Sequence, residues 1–116
     1  MGTTTKEASE KYSLRITEPA LKNIDSIVGY IAYIKHEPLS AIRIGDAIHM
    51  TIDRIEKNPT AFPECHEIPT KNKVYRKAIC HSWYIIFKIK PFEILILGII
   101  NQLRRASRIR TIGRIK

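Results

Sequence analysis

Six cations gather around the most apolar part of the chain. Arg76, Lys77, Lys88 and Lys90 lie in or beside β-rich runs, and Arg104 and Arg105 follow directly after the last run. Cations fixed on a sheet and at its exit can hold a polyanion such as nucleic acid, or an acidic protein segment. The charge distribution points the same way. Residues 1–70 hold 8 Lys and Arg against 10 Asp and Glu, whereas residues 71–116 hold 12 against Glu93 alone. The net charge of +9 is therefore a property of the second part of the chain. The plain alternative is a solubilising surface, but such a surface intersperses the two signs.

A second constellation is the pair Cys65-His66 and Cys80-His81, two copies of one dipeptide. Four such groups have the ligand types of a zinc site. Neighbours on a strand point to opposite faces, however, so each pair is a poor chelate. The expected outcome is a buried Cys80, an exposed His81 and two free thiols. No metal and no cofactor are expected.

The elements that must position these residues follow from period and punctuation. Val74 to Cys80, Trp83 to Lys90 and Phe92 to Ile100 are three β-rich runs joined by His81-Ser82 and Pro91. Connections this short force an antiparallel meander, because parallel pairing needs a long crossover. The third run is apolar on both faces, which places it centrally with both faces at least partly covered. Upstream, Tyr12, Leu14 and Ile16 alternate as one face of a short strand. Thr17 can cap the next helix and Pro19 fits its first turn.

Leu21, Ile24, Ile27, Val28, Ile31 and Ile34 then recur at helical spacing, predicting a helix over residues 18–35. His36-Glu37-Pro38 breaks it. Ser40 is a suitable cap for a second helix with Ala41, Ile44, Ile48, Ile52 and Ile55 on one face, ended by Asn58-Pro59. A break this short makes an antiparallel helical hairpin. The fold class is α+β, ordered β-α-α-β-β-β. The hairpin packs on one face of a four-stranded, largely antiparallel sheet, and the opposite face is left at least partly open.

At 116 residues the chain makes one domain, expected at 12–105, with a disordered lead-in at 1–11 and a basic tail at 106–116. That tail is read as either a basic amphipathic segment or a disordered arm. No apolar run is long enough to span a bilayer, and the first residues are polar, so a cytoplasmic protein is expected.

Several segments together resemble the RelE/ParE superfamily, the bacterial toxins of type II toxin–antitoxin systems also called plasmid stabilisation proteins. They are the helical hairpin, Ile55-Glu56-Lys57-Asn58-Pro59-Thr60-Ala61-Phe62-Pro63-Glu64, Tyr75-Arg76-Lys77, Tyr84-Ile85-Ile86-Phe87 and Ile99-Ile100-Asn101-Gln102-Leu103-Arg104. The two long helices and the Asn58-Pro59…Phe62-Pro63 junction look closer to the ParE-like branch.

The resemblance implies growth inhibition relieved by a cognate antitoxin that wraps the toxin. ParE-like members poison DNA gyrase, and RelE-like members cleave mRNA on the ribosome. For a nuclease, Arg76 and Arg104 would be the catalytic cations. Lys77, Lys88, Lys90 and Arg105 would add target- or phosphate-binding charge. Such cleavage also needs proton transfer. The region where ribonuclease members carry a histidine, tyrosine or glutamate reads Asn101-Gln102-Leu103-Arg104-Arg105-Ala106-Ser107, with no group that titrates near neutral pH. The expectation is therefore a gyrase-directed binder. A ribosome-dependent nuclease and a degenerate family member that only binds its partner are the alternatives.

Overall fold

A computed structural model describes residues 12–103 and 106–113. Strand β1 (Ser13–Ile16) leads into α1 (Glu18–Gly29), which continues through one π-helical turn, Tyr30–Ile34. Helix α2 (Pro38–Lys57) returns antiparallel to it, followed by a 3-10 turn at Pro59–Ala61. Strands β2 (Tyr75–Cys80), β3 (Trp83–Ile89) and β4 (Glu93–Asn101) form the meander, and a short helix α3 (Ala106–Ile112) closes the described chain. The sheet order is β1-β4-β3-β2, with β1 parallel to β4 and the other pairings antiparallel. The parallel pair is possible because the whole hairpin serves as the crossover between β1 and the meander.

Thr17 joins the strand to the helix. Its hydroxyl accepts from the Ala20 N–H at 3.4 Å and donates to the Ile96 carbonyl at 2.8 Å. The second helix starts earlier than expected. Pro38 takes its first turn with Glu37 as N-cap, and Ser40 lies inside the helix. Proline supplies a φ already suited to the helix and lacks the N–H that a cap would satisfy.

Two cores sandwich the sheet. On the hairpin side, Ala20, Ile24, Ile48, Ile52 and Ile55 pack over Ile85, Phe87, Ile94 and Ile96. On the other side, Tyr75, Ile86, Leu95, Leu97 and Ile100 are covered by Cys65 and by Ile109 of α3. The face expected to be open is thus closed at its centre. It stays open toward the β2 edge, where Ile79 is exposed.

The alternation along β4 resets in mid-strand. Ile86 pairs with Gly98 and Phe87 with Ile96, so Leu97 is the extra residue of a β-bulge. Ile94 and Ile96 face the hairpin before it, and Ile99 does so after it. Two predicted core positions are solvent-facing instead: Leu21 and Ile34 are exposed. The expected lead-in at 1–11 lies outside the described residues. Of the tail expected at 106–116, residues Ala106–Ile112 form a helix that docks through Ile109. Among the described residues, no helix is long and apolar enough to cross a membrane.

Candidate functional site

The sheet separates the predicted cations. Arg76 pairs with Phe87 and faces the hairpin side, whereas Lys77 pairs with Ile86 and faces the second core. Lys88 pairs with Tyr75 on that same second face. Arg104 and Arg105 lie outside the described residues.

Arg76 ties the long α2–β2 loop to the sheet. Its Nε donates to the Lys73 carbonyl at 2.8 Å, and its Nη1 donates to the Thr60 and Phe62 carbonyls at 3.0 and 2.8 Å. Its backbone bridges Glu64, and the neighbouring Lys77 N–H donates to the Pro63 carbonyl at 3.1 Å. The Phe62 ring then meets Phe87 edge-on, with ring centroids 5.8 Å apart. A loop without periodicity has no regular partners for its carbonyls, and a guanidinium can satisfy several at once. Neither loop acid, Glu64 nor Glu67, forms an ion pair with Arg76.

Glu67 pairs with Lys77 instead, at 3.3 Å, in a half-buried setting. Lys77 Nζ also lies 4.5 Å from the centre of the Tyr84 ring. The Cys65 thiol donates to Glu67 Oε1 at 3.5 Å. Burial, reinforced by this carboxylate, pushes the Cys65 thiol up to about 11. Burial alone would raise Glu67. Its own backbone N–H and Lys77 outweigh that and hold the carboxyl below its ordinary value. Lys88 Nζ sits 5.4 Å from the Tyr75 ring, and Tyr75 donates its hydroxyl to the Gly113 carbonyl at 3.2 Å. Lys90 lies in the β3–β4 turn, where its N–H donates to the Glu93 carbonyl. Lys77 and Lys88 are therefore partnered within the fold and half-buried.

The two thiols lie in different cores on opposite faces of the sheet. One cation cannot reach both, so the Cys-His pairs do not converge. Cys80 is buried and His81 exposed, as the strand geometry demands.

Two features escaped the sequence reading. Gln102 ties the exit of β4 to the β2–β3 turn: its N–H donates to the Ser82 carbonyl at 2.9 Å and its Nε2 to the His81 carbonyl at 2.9 Å. This holds His81 at φ 53, a left-handed conformation uncommon outside glycine. The second is a groove of about 470 Å³ between α2 and the end of β2. Arg54 and Lys57 supply its cations and Asp53 an acid, and Met50, Ile79 and His81 complete its rim. Arg54 and Lys57 lie three residues apart at the end of α2, a spacing that marks no site by itself. Only the packing of α2 against β2 turns them into one wall.

A family model described as the ParE toxin of type II toxin–antitoxin systems, parDE, matches residues 14–106. The chain belongs to the ParE toxin family. The matched span of this ParE-family toxin holds the hairpin, the Arg76 loop anchor, the groove and Gln102, and stops at the first residue of α3. No curated protein matches it in sequence. In fold it is similar to a chain from the chromosomal ParDE toxin–antitoxin system of P. aeruginosa. The TM-score is 0.62 at 21% identity, over 79% of this chain and 97% of that one.

Proposed function

We propose that this ParE-family toxin acts in the cytoplasm by binding DNA gyrase, without cutting RNA, and that a cognate antitoxin neutralises it. The observation that carries this reading is Arg76. Cleavage by an attacking 2′-OH needs a cation at the scissile phosphate and a proton-transfer group beside it. Here the guanidinium offered for that role is hydrogen-bonded to three loop carbonyls on the hairpin side of the sheet. Lys77 lies on the opposite face and is paired with Glu67. Arg76 is committed to the loop, and Lys77 and Lys88 lie across the sheet from it, which suits a binding surface better than a reaction centre.

The antitoxin is read as an acidic segment seated in the groove between α2 and β2. Arg54 and Lys57 would meet its carboxylates, and Met50 its apolar side chains. Ile79 lies on the sheet edge past the bridge between Glu64 and Arg76.

The test is a DNA-cleavage assay with purified gyrase and supercoiled plasmid. The reading expects linear DNA to accumulate after protein denaturation, with antitoxin suppressing it. Cleavage of translated RNA by the purified chain on ribosomes, with no effect on gyrase, would establish the nuclease reading instead.

A further inference from the structure

The turn of the helical hairpin presents five large apolar side chains to solvent: Tyr30, Tyr33, Ile34, Leu39 and Ile42. Tyr33 is 78% exposed and Leu39 68%. Simple α-helical continuation would not give this arrangement, because Ile34 continues the inward stripe of Ile24, Ile27 and Ile31. The π-helical turn, closed by the Lys35 N–H on the Tyr30 carbonyl at 3.0 Å, adds a residue and rotates Ile34 outward. Single π turns interrupting α-helices are frequent at functional sites. An apolar patch of this extent marks an interaction surface.

We propose that this patch is the interface of a two-fold dimer of the chain. The electrostatics select a second copy. Over residues 22–46, Lys22, Lys35 and Arg43 are balanced by Asp25, Glu37 and Asp46, in a chain whose net charge is +9. Two copies repel each other wherever the basic half faces itself, and the hairpin turn is where that repulsion is absent. A two-fold axis places the same mixed set of charges on both sides, so the rim is self-complementary. The five side chains offer on the order of 600 Å² per copy, which puts the dimer at the lower end of specific interfaces. Tyr30 and Tyr33 are of the residue type that anchors such interfaces. An interface of that size suits a dimer that dissociates reversibly, and it does not depend on which target the toxin has.

The test is sedimentation of the purified full chain over a concentration series. The expected result is a monomer–dimer equilibrium. Tyr33→Glu combined with Leu39→Glu should weaken it at least tenfold while leaving the far-UV circular dichroism spectrum unchanged. A wild-type chain that stays monomeric throughout, or a dimer that survives the double substitution, overturns the proposal. Should the double variant fail to fold, Tyr33→Cys decides. Cys65 and Cys80 are buried, so a bismaleimide reacts at the new thiol first. A cross-linked homodimer supports the interface, and quantitative labelling without one refutes it. A monomer in which the double substitution abolishes antitoxin binding instead assigns the patch to that partner and ends the proposal.

Discussion

Arg76 donates a hydrogen bond from Nη1 to the Phe62 carbonyl at 2.8 Å, joining the edge strand β2 to the loop that leaves α2. The same guanidinium holds the Thr60 and Lys73 carbonyls, so one side chain gathers three points of an otherwise irregular segment. Arg76→Ala should lower unfolding stability by about 2 kcal/mol, since charged hydrogen bonds are lost and carbonyls lose their donor. Arg76→Lys should recover little, because an ammonium lacks the planar fork. Urea unfolding checks both. Toxicity per folded molecule should survive Arg76→Ala.

Stability should fall at both ends of the pH range for separate reasons. Glu67 is held below its ordinary value in the folded state. Its contribution is therefore present above the unfolded carboxylate pKa of about 4.3 and is lost as pH falls through the folded value. Cys65 is raised from 9.0 to about 11. Its contribution is complete below pH 9.0 and is lost as pH rises toward about 11. Melting curves across pH should show the acid limb flattened in Glu67→Gln and the alkaline limb flattened in Cys65→Ala. An unchanged acid limb in Glu67→Gln would refute the role given to the Lys77 pair.

Gly98 sets how closely α3 approaches the sheet. A Cβ there would lie 3.1 Å from Ile112 Cδ1 and 3.2 Å from Asn23 Oδ1, the oxygen that accepts the Ile99 N–H. Gly98→Ala should cost about 1 kcal/mol through overpacking. Hydrogen exchange should speed up across Ala106–Ile112 before it does so in α2. Equal acceleration everywhere would mean that the substitution acts on the whole fold.

The groove between α2 and β2 provides a separate test of partner binding. Arg54→Glu with Lys57→Glu should weaken antitoxin binding at least tenfold, chiefly through a slower on-rate that is more sensitive to salt. Both side chains are exposed but lie in the last turn of α2, so reversing their charges should cost about 1 kcal/mol and leave the chain folded. Calorimetry with the antitoxin measures the first effect and thermal melting the second. Unchanged affinity would place the antitoxin elsewhere.

The antiparallel meander was legible because His81-Ser82 and Pro91 leave no room for anything but tight reversals, whereas the place of β1 beside β4 was not, since the long hairpin crossover can return to either edge. The α2 stripe was legible because Ala41, Ile48, Ile52 and Ile55 keep one unbroken period, and all four are buried. The stripe of α1 misled at Ile34, where a π turn changes the period without a marker residue such as proline. The bulge at Leu97 was hidden for a related reason: a run apolar on both faces carries no alternation whose slip can be seen. Ile109 looked like one of several spaced apolar residues in a basic tail, and only the second core shows what it covers. Arg76 resembled a site arginine because its partners are backbone carbonyls, which every residue has and which no sequence pattern marks.

The central claim is tested most directly by inducing the chain in a sensitive bacterial host while mapping mRNA 5′ ends and gyrase-linked DNA breaks in the same cells. A gyrase-directed toxin should give DNA breaks and an SOS response with the pattern of mRNA ends unchanged, and co-expressed antitoxin should abolish both signals. New 5′ ends within translated messages, without gyrase-linked breaks, would contradict the account.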